Sequence, residues 1–387
     1  MAGLVTVDEV LARSVERGDV LGVAGFAADR NGVIFEGAFG KRDAAGQALG
    51  TDSVFWMASM TKALTTVAAL QLVEQQKLTL DEPLSRLFPQ LAEVQVLEGY
   101  DERGQARLRP ARGNITLRNL ATHTSGYAYD IWNRDLLRFY QENGIPNIIE
   151  CSKKTLTEPL VFDPGTRWQY GINLDWIGQV VEKVADQDLE DYFRAHILGP
   201  LGMDSTSFVI SPGMRAKLVE VQARDADGSL HPYPFEMPQQ RRFLLGGAGL
   251  YGTGGDYLRF TRAIMHGGTL DGARILRPET VAEMGRNQIG DLEVERLYTA
   301  IPAYSNDAEF HPGMVKKWGL GFMLTTEELP TGPSANTLAW AGLGNTFYWI
   351  DPAKQVTGVI LTQIFPFGDA RMLSLLDEFQ AALYKNR

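Results

Sequence analysis

The sequence predicts a mixed α/β (α+β) protein, an antiparallel sheet flanked by helices and joined to a mainly helical lobe. Three observations carry this. A hairpin pattern opens the chain at residues 20–39. Helical patterning dominates residues 115–200. Short runs rich in β-branched and aromatic residues, followed by one helix, close it. Strands from the two ends then share one sheet, with residues 1–80 and 210–387 as a discontinuous α/β domain. Residues 81–209 form the helical domain.

Each element has its own signal. Val7, Val10, Leu11 and Val15 fall at helical spacing. Asn31-Gly32 between two apolar runs is a strong hairpin signal. Val54-Phe55-Trp56 reads as a short strand, and Leu64, Val67, Ala68, Leu72 and Val73 as a helix after it. Residues 98–113 are polar and turn-rich and read as an exposed excursion. Trp176, Ile177, Val180, Val181 and Val184 form one side of a helix over residues 175–185. Residues 246–255 contain six glycines without a Gly-Lys-Ser/Thr ending, so they read as a tight turn lining a site, with Asp256 opening a helix. Strands are expected at 319–325, 337–342, 346–350 and 355–363, and a helix at 370–384.

The chain has 387 residues and a net charge of −10, which disfavours nucleic acid and anionic membranes as partners. No apolar run reaches the roughly 18 residues of a membrane span, and the first nine residues lack the pattern of a signal peptide, so a cytoplasmic location is expected. Cys151 is the single cysteine, which excludes an intrachain disulfide and a cysteine zinc cluster. The five histidines are scattered, and neither a metal nor a cofactor is expected.

Three local features can carry chemistry. Ser59-Met60-Thr61-Lys62 places Ser and Lys three apart, on one helix face. A partly desolvated Lys can accept the Ser proton, and the helix N-terminus favours an oxyanion. With 13 Ser and 11 Lys, chance alone yields roughly 0.4 such spacings, so context decides. Tyr170 stands at a loop-to-helix junction, where its phenol could relay a proton; the plainer reading packs it against Trp168 and Trp176, with Asn173 capping the helix. Trp340-Ala341-Gly342-Leu343 has small residues that let a ligand approach the backbone, whose N–H could pair with that of Ser59 in an oxyanion hole. Gly-x-Ser-x-Gly is absent, and His123 reads as a ring that fixes a turn.

Taken together, Ser59-x-x-Lys62, Tyr170 and Trp340-x-Gly342 resemble the serine β-lactamase and penicillin-binding-protein superfamily, and within it the family VIII carboxylesterases. Supporting marks are Leu120–Gly126, Asp163-Pro164-Gly165, Pro200-Leu201-Gly202-Met203 and Trp349-Ile350-Asp351-Pro352. Residues 96–101, 115–118 and 170–176 also look similar to the fungal lovastatin-pathway acyltransferases. The resemblance implies a serine β-lactamase/DD-peptidase-like fold, acylation of Ser59, and general acid–base work shared by Lys62 and Tyr170. It also implies an oxyanion hole from the N–H groups of Ser59 and Leu343. Trp340, Gly342, Asn173 and Tyr127 are the expected substrate-binding residues, with Tyr129 and Trp132 shaping the cleft. Class C β-lactamases carry Lys-Thr-Gly where this chain has Trp340-Ala341-Gly342. A Trp cannot hold a β-lactam carboxylate as a cation does, so uncharged esters fit better. The implied activity is a serine carboxylesterase on short to medium acyl esters, in a monomer or homodimer. Its alternatives are an acyltransferase that passes the acyl group to an alcohol, with weak β-lactam hydrolysis, and a non-catalytic binder on the same fold.

Overall fold

A computed structural model describes residues 5–240 and 243–385. The chain opens with α1 (Val7–Glu16), whose N-cap Thr6 and Glu9 form a reciprocal capping box, a device worth about 1 kcal/mol. The expected hairpin follows as β1 (Gly22–Asp29) and β2 (Gly32–Gly40), its turn held by Asp29 Oδ1, which accepts from the N–H groups of Asn31 at 2.7 Å and Gly32 at 3.2 Å. Then comes α2 (Thr61–Glu74), buried on every side from Thr61 to Leu72 and therefore the central helix of the fold.

Residues 98–113 are exposed as the sequence suggests, but they carry strand that it does not announce. They belong to a second hairpin, β3 (Gln95–Tyr100) and β4 (Ala106–Pro110), in which the Asp101 carboxylate accepts from the N–H groups of Arg103 and Gln105. Val96 and Leu97, buried next to each other in β3, break the apolar–polar alternation that would have announced a strand. The helical segment contains α3 (Arg134–Asn143) and α4 (Asn173–Ala185), and α4 packs along α2.

After α5 (Gly254–Met265) come β5 (Lys316–Trp318), β6 (Met323–Thr325), β7 (Leu338–Gly342), β8 (Thr346–Asp351) and β9 (Val356–Leu361), and α6 (Ala370–Lys385) ends the described chain. The run expected as one strand at 319–325 is strand only from Met323; Gly321, at φ +83°, belongs to the turn before it. The strands form one seven-stranded sheet in the order β5-β6-β7-β8-β9-β1-β2, antiparallel throughout. Both chain ends thus contribute to it, as expected.

Register sorts the two faces. Trp340, Tyr348, Val359 and Phe26 stand in one cross-strand row. That row faces α2 and α5: Tyr257 of α5 packs on Tyr348 and its hydroxyl donates to Met60 O at 2.9 Å. Ala341, Phe347, Ile360 and Gly25 form the adjacent row on the opposite face, as the two-residue period requires. There α1 and α6 cover the sheet, and a Cβ on Gly25 would lie 2.9 Å from both Leu11 and Phe379. Trp340 therefore points toward the start of α2. Among the described residues no helix is long and apolar enough to cross a membrane.

Candidate active site

Ser59 lies in the one-turn segment Ala58–Met60 that leads into α2. Ala58 has φ +45°, a left-handed conformation that costs a non-glycine residue about 1–3 kcal/mol. Its neighbours hold it there: Met57 N–H donates to Leu250 O at 2.9 Å and Trp56 N–H to Gln363 Oε1 at 3.0 Å. The strained turn brings Ser59 to the N-terminus of α2, facing the end of β7.

One turn on, Lys62 is 1% exposed. Its Nζ donates to Ser59 Oγ at 3.1 Å, Tyr129 Oη at 3.0 Å and Gly247 O at 2.7 Å. It also sits 4.7 Å from the Tyr170 ring centre and 5.2 Å from that of Tyr129. Burial draws the ammonium down from the usual lysine range to about 7, and the Asp175 carboxylate opposes that shift. A neutral amine is then accessible near neutral pH, within reach of the Ser59 proton.

Tyr170 Oη accepts from Trp340 Nε1 at 2.9 Å. Burial pushes its phenol up, against the lowering effect of hydrogen bonds from Ser59 and Trp340. Tyr170 is therefore a protonated phenol at neutral pH, suited to relay or donate a proton. Burial, with Lys62 as a further cause, pushes His123 well below its usual value. Burial also raises the Tyr129 phenol. Asp175 is thus the charged partner that faces Lys62.

The glycine-rich turn explains how these groups meet. A Cβ on Gly246 would lie 2.5 Å from Leu174 O, and one on Gly247 would lie 2.6 Å from Asp175 Oδ2. Only a chain without side chains threads between α2 and α4 here. Gly247 then spans the pair, its carbonyl on Lys62 and its N–H donating to Asp175 Oδ1 at 2.9 Å. Burial brings the Asp175 carboxyl up to about 6, while Lys62, Gly247 N–H and the Tyr129 hydroxyl pull the other way.

Trp340, Gly342 and Leu343 line one slot with Ser59 and Tyr170, walled further by Trp132, Leu297 and Phe367. Ser59, Lys62, Tyr170, Trp340, Gly342 and Leu343, spread over nearly 300 positions of sequence, thus come together at one place.

Asn173 and Tyr127 do not join them. Asn173 is fully buried in the first turn of α4. Its side chain donates to His123 Nδ1 at 2.9 Å and to Tyr127 O at 3.4 Å, and it accepts from Ser125 Oγ. It fastens the 123–127 turn to the helix and does not line the Ser59 slot. It does not cap α4 either, since the helix has begun by Asn173. Tyr127 is turned away and stacks on Trp176 at 6.0 Å. His123 does what a turn-fixing ring should: at φ +58° its Nδ1 accepts from Gly171 N–H at 3.4 Å, just after Tyr170.

Tyr129 was expected only to shape the cleft, not to bind the lysine, and Asp175 and Gly247 were not among the expected site residues. Asp175 had one visible signal, a charge inside an otherwise apolar helical run. A carbonyl such as Gly247 O leaves none.

Asp175→Asn is expected to move the rising limb of the pH–rate profile toward lower pH by about 1 unit. The sign follows from charge: removing the anion lowers the lysine's proton affinity further, so the neutral amine forms sooner. The amide oxygen can still accept from Gly247 N–H. kcat/KM measured from about pH 5 to 10 tests this, and an unmoved limb removes Asp175 from the electrostatics of Lys62.

Sheet topology, the Ser–Lys pair at the head of a buried helix and the strand across the slot define an architecture of the serine β-lactamase and penicillin-binding-protein kind. The chain belongs to the beta-lactamase family, whose model matches residues 7–382. It is 32% identical over 401 residues to the monacolin J acid methylbutanoyltransferase of Aspergillus terreus, covering 98% of this chain and 95% of that one. It is also 32% identical over 400 residues to the lovastatin esterase of Penicillium rubens, covering 98% of each. The unliganded simvastatin synthase LovD of Aspergillus terreus superposes with a TM-score of 0.84 at 30% identity, covering 98% of this chain and 97% of that one.

Proposed function

We propose that this chain is a serine enzyme acting on uncharged acyl esters through an acyl-Ser59 intermediate. The observation that carries the reading is the hydrogen bond of 3.1 Å between Ser59 Oγ and a lysine whose burial favours its neutral form. Ser59 Oγ attacks the ester carbonyl carbon, and its proton passes to Lys62 Nζ. The N–H groups of Ser59 and Leu343 are suited to receive the oxyanion. The alcohol leaves with a proton relayed through Tyr170, and the acyl group stays on Ser59.

Water or a second alcohol then takes the acyl group. Hydrolysis makes the protein a carboxylesterase; alcoholysis makes it an acyltransferase. Relatives of both kinds stand at the same 32% identity, which keeps the second reading beside the first. Among the described residues no lysine or arginine lines the slot, so a β-lactam carboxylate finds no cation among them and uncharged esters are favoured.

The test is capture and partition. After a short incubation with p-nitrophenyl butyrate, mass spectrometry should find one butyryl group on the peptide that contains Ser59. Adding an alcohol series should then divert product from butyrate to butyryl ester for at least one member if transfer is the activity, and for none if hydrolysis is. Acylation at another residue, or none during turnover, would refute the mechanism.

A further inference from the structure

We infer that a cavity of about 580 Å³ beside the Ser59 slot is the specificity pocket of this site, closed off by Phe367, and that it takes an uncharged or cationic organic group of the ester. The inference rests on the acyl-ester reading above. The slot itself holds about 10 Å³, room for about one water molecule. An ester larger than the smallest must place its remainder elsewhere.

Phe367 is a wall of both spaces. An aromatic row leads across it: Trp340, beside the nucleophile, packs on Phe310 at 4.8 Å, and Phe310 lies 6.2 Å from Phe367. The backbone of Phe367 is pinned, its N–H donating to Tyr304 O and its carbonyl accepting from Asn306 N–H, each at 2.9 Å. Its ring rests on Phe347 at 6.1 Å. With the chain held this way, shortening the side chain removes the wall and leaves the loop in place.

The chemistry of the cavity selects its occupant. Leu329 and, from one face of α6, Leu373 and Leu376 give it an apolar lining. Its rim carries Glu309, Glu327, Glu328 and Asp377, and among the described residues no Lys or Arg lines it. Lys316 lies 3.7 Å from Glu309 and Lys354 lies 2.6 Å from Glu328, which leaves the rim net negative. His311 adds no positive charge, since burial and Lys316 bring it down to about 4. A carboxylate or phosphate on the substrate would meet repulsion here, and an apolar group, neutral or cationic, would not.

The test compares kcat/KM for p-nitrophenyl acetate, p-nitrophenyl octanoate and 2-naphthyl acetate in wild type, Phe367→Ala and Leu376→Trp. Phe367→Ala should raise at least one bulky ester about 10-fold relative to p-nitrophenyl acetate, within the range that a few methylenes command. Leu376→Trp, which fills the cavity, should lower the same ratio. Octanoate responding assigns the pocket to the acyl half, naphthyl acetate to the alcohol half. Ratios unmoved in both variants overturn the pocket while the esterase reading stands. Folded wild type inert on all three esters would defeat both.

Discussion

Ser59→Ala and Lys62→Met should each lower kcat by at least about 10⁴-fold, and the double variant should fall no further. The two groups act as a unit: without Lys62 the Ser59 proton has no acceptor, and without Ser59 a neutral amine has no proton to take. Stability should move differently from rate. Lys62 is 1% exposed, and replacing a buried cation with an apolar chain of similar length removes a desolvation cost. Asp175 then loses the cation that draws its pKa down, so it stays protonated to higher pH and does not remain as a bare buried charge near neutrality. The same change takes from Gly247 O its lysine donor, so Lys62→Met is expected to melt below wild type by an amount matching about 1–3 kcal/mol, folded but nearly inactive. Steady-state hydrolysis of p-nitrophenyl butyrate, paired with thermal melts, reads both quantities. A double variant slower than either single by a further large factor would mean that Ser59 and Lys62 work independently.

Gly342→Ala should cost about 10²–10³ in kcat, the typical loss for one oxyanion donor. A Cβ there would stand 2.5 Å from Met57 O and 2.3 Å from Thr346 Oγ1. One is backbone of the turn that carries Ser59; the other is a buried side chain of β8. Neither can give way far, so the end of β7 must retreat, and Leu343 N–H retreats with it from Ser59. Overpacking of this kind also costs about 1–3 kcal/mol of stability. Gly255→Ala is the control, since a Cβ there meets nothing within 4 Å, and it should leave the rate unchanged and the melting temperature equal or slightly raised, as alanine favours the helix by about 0.4–1 kcal/mol. Equal activity in the Gly342→Ala and wild-type enzymes would remove Leu343 N–H from the mechanism.

The hairpin at Asn31-Gly32, the terminal helices, α2 and α4 were legible because local pattern and burial agree there. The β3–β4 hairpin was not, because its apolar residues do not alternate with polar ones and its ordering comes from contacts far along the chain. Arg109 of β4, for example, binds both oxygens of Asp163 at 2.8 and 2.9 Å.

The site divides the same way. The amino-acid sequence by itself determined the Ser59–Lys62 pairing, because residues three apart on a helix share a face. With the family resemblance it also pointed to Tyr170 and to the strand at Trp340, whose residue types stand in recognisable order. Only tertiary structure decided the rest. It set Tyr129 and Gly247 on the lysine and Asp175 beside it, turned Asn173 and Tyr127 away from the slot, and stood Phe367 between the slot and the cavity beside it. The physical reason is that a lysine's proton affinity, a glycine's clearance and a cavity's shape are sums over neighbours brought together from distant segments. No local stretch of residues contains those sums.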